Sequence, residues 1–148
     1  YMRQLSETGK YTVSDRVLRA VQAEFSCGFC TDAQGAQTIG KTFRETHYLL
    51  DTHTAVACTV LDAYRSGTGD QTLPVVETTA SPFKFCASVL DALGVTEHAP
   101  GTGVLGQLTA ETGRPAPTPL ASHAGKPVRF DQVTDRGDMR AVVTEFLR

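Results

Sequence analysis

Val17, Leu18, Val21 and Phe25 fall on one face behind Ser14, a good helix-capping residue, so the first clear apolar pattern predicts a helix. Ala36, Ile39 and Phe43 repeat the spacing after Thr31 or Asp32, more weakly because Gly35 and Gly40 interrupt it. Val56, Val60, Leu61 and Tyr64 mark a third helix from about His53 to Arg65, with Gly67 ending it. Leu73-Pro74-Val75-Val76 differs, being a short continuous apolar run that reads as a buried strand reaching Thr79. At its end Ser81 suits an N-cap and Pro82 the first helical position, and Phe85, Val89 and Leu93 recur every four residues until Gly94. Helix, strand and helix between residues 53 and 93 predict an α/β fold, a helix-rich chain with a small parallel sheet element. One strand leaves its ladder groups unpaired, so that sheet needs partner strands from elsewhere.

After Gly94 the pattern fades. Residues 95–127 hold Pro100, Pro115, Pro117, Pro119 and Pro127 among small and polar residues, which predicts a loop or linker crossing the surface. Val128-Arg129-Phe130 suggests a short edge strand, and Asp135 can cap a terminal helix over 135–148. Its Met139, Val142, Val143, Phe146 and Leu147 form the cleanest amphipathic stripe in the chain, one that calls for a surface to dock on. With 148 residues, a single unit over 1–148 is the expected organisation.

Charge narrows the partners. Fourteen basic and 16 acidic residues give a net charge of -2 without a basic run, so nucleic acid is not an expected partner. No apolar run reaches the roughly 20 residues of a membrane span, and no basic-then-apolar leader opens the chain. The expectation is a cytoplasmic protein with reduced thiols.

The junction Glu77-Thr78-Thr79-Ala80-Ser81-Pro82-Phe83-Lys84-Phe85 joins the expected strand to a helix and places hydroxyls where α/β folds hold ligands. Together with Leu49-Leu50-Asp51-Thr52-His53-Thr54-Ala55-Val56-Ala57 upstream, it resembles two signature stretches of the threonine synthases, approximately D-P-H-T-A-V and T-A-H-P-x-K-F. Thr52 stands where the family has proline and Ser81 where it has histidine. The opening Met2-Arg3-Gln4-Leu5 with Gly9-Lys10-Tyr11-Thr12-Val13, and the closing helix, are also similar to the family. The resemblance implies the carboxyl-terminal portion of a fold-type II pyridoxal-phosphate enzyme. The complete enzyme would convert O-phospho-L-homoserine and water to L-threonine and phosphate by deprotonation at Cα and Cβ, γ-elimination and hydration at Cβ. The resemblance further implies that Thr79 hydrogen-bonds the pyridine nitrogen of pyridoxal 5'-phosphate, with Thr78, Ser81 and His53 as further candidates for the cleft wall. None of these is expected to be catalytic.

Such enzymes also carry a Schiff-base lysine and a Gly/Asn-rich phosphate loop. Lys10, Lys41, Lys84 and Lys126 include none in a matching context, so this chain is not expected to catalyse alone and would need the amino-terminal part of the enzyme as its partner. Lys84 reads as a solvated first-turn residue, and His53 as a residue fixing a helix start beside the cleft. His47, His98 and His123 read as solvent-facing. Gly101-Thr102-Gly103-Val104-Leu105-Gly106 spells a dinucleotide fingerprint but lacks the preceding strand. Cys27-Gly28-Phe29-Cys30 has redox spacing but follows a helix, and Cys58 and Cys86 stand singly, so no metal site is expected. The alternatives are a small α/β binding or regulatory module without catalysis and, more distantly, a thiol redox protein.

Overall fold

Capping chemistry sets the main helix starts. The computed structural model describes residues 1–148 and contains helices α1 (Met2–Thr8), α2 (Asp15–Glu24), α3 (Asp32–Thr46), α4 (Thr52–Thr68), α5 (Cys86–Ala92), α6 (Gly103–Thr112), α7 (Thr118–Ala121) and α8 (Met139–Phe146). Ser14 Oγ accepts the Val17 N–H at 3.4 Å and opens α2. Thr31 and Gln34 form a capping box at α3, with the Thr31 N–H donating to Gln34 Oε1 at 2.8 Å and the Gln34 N–H donating to Thr31 Oγ1 at 3.3 Å.

The cap of α4 is different because it is buried. Asp51 is 2% exposed, and its Oδ1 accepts the N–H groups of His53 at 2.8 Å and Thr54 at 3.3 Å. The Thr54 hydroxyl donates to Oδ2. Burial alone would raise the Asp51 pKa; the Thr54 hydroxyl and the two backbone donors outweigh it, His53 adds a smaller attraction, and the carboxyl is held below its ordinary value.

The core lies where α3 meets α4 and α5, and α5 meets α6. Ile39, Ala55, Val89, Leu90 and Leu108 are its most enclosed apolar side chains, joined by Leu49 and Leu50 from the α3–α4 connection. A hydroxyl pair, Thr38 Oγ1 and Thr59 Oγ1 at 2.8 Å, links α3 to α4. At the α3–α5 crossing the backbones approach so closely that a Cβ on Gly40 would lie 2.6 Å from the Ala92 carbonyl oxygen.

Several sequence expectations are corrected. The chain forms no strand, so the small parallel sheet is absent: residues 73–79 are irregular, make no backbone hydrogen bonds, and leave Leu73 and Val75 88% and 89% exposed. The apolar run has no second extended segment beside it, and Pro74 lacks a donor. Val128 to Phe130 is likewise not a strand. Gly67 lies inside α4; the helix ends at Gly69, whose left-handed φ of 72° lets its N–H reach the Arg65 carbonyl. Ser81 caps a short 3-10 turn, Pro82–Lys84, rather than α5 itself.

Residues 95–127 are more than a linker. They contain α6 and α7, bury Leu108, and place Gln107 so that its amide accepts the Ala99 N–H at 2.8 Å and donates to the Glu97 carbonyl at 2.7 Å. Arg114 Nη2 donates to the His47 carbonyl at 2.7 Å and ties this segment back to the end of α3.

The ends do not dock. Neither α1 nor α2 contains a buried residue, and the α8 stripe is largely exposed, meeting chiefly Phe130, whose ring lies 6.3 Å from that of Phe146. The accessible surface is 11758 Å², against about 7,400 Å² for a compact monomer of this mass. The largely exposed helices α1, α2 and α8, the 73–79 segment and residues 121–140, the last exposed throughout, contribute to the excess.

Two stability outcomes follow from this division into core and arms. Leu108→Ala should lower unfolding stability by about 2–5 kcal/mol through lost burial and a residual cavity, whereas Val143→Asp on α8 should stay within about 0.5 kcal/mol. Urea titration of both variants checks this; equal losses would mean that α8 belongs to the core. Asp51→Ala should cost about 1–3 kcal/mol, because it leaves two helix N–H groups and a buried hydroxyl without their acceptor. Because folding depresses the Asp51 pKa, its contribution is present above the ordinary value near 3.8 and is lost as pH falls through the depressed value. Thermal melts of Asp51→Ala and the parent chain should therefore converge in acid, and a constant gap down to full protonation would contradict the assignment.

Candidate functional site

The two motif stretches identified in the sequence meet at the start of α4. His53, in its first turn, sets its ring 5.0 Å from the ring of Phe85, tilted by 46°. Its Nδ1 lies 3.3 Å from Thr52 Oγ1 and 3.5 Å from Asp51 Oδ1. The ring is therefore held on one side by the buried carboxylate and on the other by an aromatic face, while its side chain remains 67% exposed. An imidazole placed this way can donate or accept toward a group outside the chain.

From Phe85 the site runs back through the 3-10 turn. Ser81 Oγ accepts the Phe83 N–H at 3.3 Å, and Phe83 is buried beneath it. The Phe83 carbonyl accepts the Cys86 thiol at 3.2 Å, which fixes the join between the turn and α5. Burial pushes the Cys86 thiol up, consistent with a structural sulfur.

Thr78 and Thr79 precede this turn on the irregular segment. Both are exposed, and neither hydroxyl makes a hydrogen bond within the chain. Lys84 is exposed at the end of the turn. The structure thus brings His53 against the Ser81–Phe85 stretch, while Thr78 and Thr79 stay exposed with their hydroxyls unpaired.

The clefts do not gather all four residues. Ser81 borders a hollow of about 280 Å³ with Tyr48, Phe83 and Arg114. A cleft of about 460 Å³ lies farther along, where Cys30 and Asp32 at the start of α3 face Thr52 of α4 and Asp91 of α5. No group of three or more His, Cys, Asp or Glu side chains is placed to hold a metal. His98 is exposed, as expected, and its Nε2 lies 3.0 Å from Asp91 Oδ1. Asp51 is the residue that sequence reasoning passed over; a carboxylate three residues before a threonine at a helix start was the available signal.

No protein-family model matches the chain. Threonine synthase-like 1 of Macaca fascicularis is 30% identical over 95 residues, 64% of this chain and 12% of that protein, and the Mus musculus counterpart is 33% identical over 82 residues. Threonine synthase of Saccharomyces cerevisiae is 26% identical over 98 residues, 19% of its length. Among solved structures, the PLP-bound threonine synthase of Brucella melitensis superposes with a TM-score of 0.54 at 33% identity, covering 76% of this chain and 23% of that one. The chain thus spans only 12% of the first of these relatives. Sequence and helical architecture agree on one relationship: the chain is a segment related to the threonine synthases, matching a limited part of their length.

Proposed function

We propose that this chain forms one wall of the active cleft of a pyridoxal-phosphate-dependent threonine synthase, the enzyme that converts O-phospho-L-homoserine and water to L-threonine and phosphate. The observation that carries the reading is the meeting of the two family-like stretches, with the His53 ring tilted against that of Phe85, in a chain that resembles a PLP-bound threonine synthase in both sequence and fold. The 73–79 segment and the undocked helices support a protein partner, which we take to be the remaining part of such an enzyme.

Only part of the cofactor's needs can be met from within the chain. The Thr79 hydroxyl has no intramolecular partner and fits as a donor to a pyridine nitrogen. Lys10, Lys41, Lys84 and Lys126 are all exposed, and no glycine-rich cradle follows a strand. Thr79 would therefore hold one atom of the cofactor, with Thr78, Ser81 and His53 shaping the wall, and the lysine and phosphate contacts would come from outside this chain. When bound, pyridoxal phosphate supplies the electron sink for carbanion chemistry. A neutral hydroxyl at its ring nitrogen does not stabilise a protonated pyridinium as a carboxylate would, so Thr79 would moderate that sink. The role of the chain is to orient and to exclude water, and on this reading it does not catalyse alone.

Two measurements test the reading. The 148-residue chain should bind pyridoxal phosphate weakly, since one hydrogen bond contributes only about 1 kcal/mol net; an absorbance titration showing micromolar affinity would contradict it. In a complete enzyme that includes this segment, Thr79→Val should cost on the order of 1–3 kcal/mol, roughly one to two decades in turnover. Thr78→Val is the neighbouring control, and equal effects of the two substitutions would remove the specific role of Thr79.

A further inference from the structure

The connection between α2 and α3 carries two cysteines that the proposed function does not use. Cys27 is exposed and Cys30 half-buried, and both are free thiols. Residues 25–31 run without a turn or bend, and both flanking positions are extended, Phe25 at φ -123°, ψ 139° and Thr31 at φ -78°, ψ 161°. Gly28 lies flat on α4, where an added Cβ would come within 2.9 Å of Val60 Cγ1. Phe29, between the cysteines, is 91% exposed.

The two sulfurs serve different clefts. Cys30 lines the 460 Å³ cleft between α3, α4 and α5, whereas Cys27 lines a groove of about 660 Å³ with Gly28, Phe29, Val60 and Tyr64. The motif follows α2, as expected, and also leads into the next helix, since Cys30 immediately precedes Thr31, the cap of the 15-residue α3. The other two thiols are set apart. Cys58 is pushed up by burial and by Asp62 and Asp51, and Cys86 is buried and bonded to a carbonyl.

We propose that Cys27 and Cys30 form a reversible disulfide in exchange with small-molecule disulfides, and that closing it bends the loop off α4 and reshapes both clefts. A disulfide needs its Cα atoms within about 7 Å, whereas three residues of unbent chain span roughly 10 Å, so the bond cannot form without a turn at Gly28-Phe29. The exposed Cys27 thiolate attacks the small disulfide, forming a mixed disulfide and expelling one small thiolate. The Cys30 thiolate then attacks Cys27 Sγ, the protein S–S bond forms, and the second small thiolate leaves. The two cysteines are oxidised by two electrons, the small disulfide is reduced to two thiols, and the two cysteine protons pass to solvent or to the leaving thiolates.

The test is to incubate the native chain with oxidised glutathione, quench with acid, alkylate with N-ethylmaleimide and digest with trypsin. The peptide 20–41 contains both cysteines and no other, and should be recovered unalkylated and lighter by two hydrogens, while Cys58 and Cys86 remain alkylated. Cys30→Ser should accumulate glutathione on Cys27, because the resolving thiol is gone. Val60→Ala, which loosens the seat of Gly28, should close the bond several-fold faster. A native chain that stays fully alkylated, retains glutathione on Cys27 without closing, or closes only in urea would overturn the proposal.

Discussion

A buried carboxylate at the head of α4 organises the centre of this molecule. Asp51 satisfies two backbone donors and one hydroxyl, and in doing so fixes where α4 begins. The two residues before it, Leu49 and Leu50, are core residues, and the two after it are Thr52 and His53 of the candidate site. A shift of the helix start by one position would rotate this set by about 100° around the axis, taking His53 away from Phe85 and Ala55 out of the core. Burying a charge is costly unless its bonds are complete, and here they are. The same three bonds that remove this cost define the geometry of the site.

What the sequence made legible is what depends on neighbours a few residues away. Ser14 and Thr31 start helices through side chains acting within one turn, and both starts are found as expected. The amphipathic face of α3 was visible despite Gly35 and Gly40, because Ile39 and Phe43 keep the spacing. Leu73 to Val76 misled for the opposite reason. Its composition suits a strand, yet a strand is a relation between two segments, and no second segment lies beside it in this chain. The helix α6 was hidden because Gly103, Gly106 and two threonines weaken local propensity, while its support comes from burial of Leu108 and from the Gln107 clamp on residues 97 and 99.

The candidate site divides along the same line. His53 and Phe85 come from stretches recognised by motif, and their contact could not be inferred from either stretch alone. Ser81 does cap a turn, but its role is absorbed in holding Phe83 rather than α5. Thr78 and Thr79 have the right chemistry for donors, but their segment lacks the backbone bonds that would orient them. The candidate site is anchored on the side of His53 and Phe85 only, and the chain matches a limited share of each relative.

The close approach between Gly40 of α3 and the last carbonyl of α5 concerns more than packing. Position 40 is specified by missing atoms: even a methyl group would meet a backbone oxygen at the end of a helix, which no rotamer change can move aside. Drift at this position is therefore blocked until α5 itself retreats, and α5 is held by Val89 and Leu90, both wholly enclosed. Change here requires several sites to move together, so Gly40 should outlast most of its neighbours as sequences diverge, including residues that contribute far more buried area.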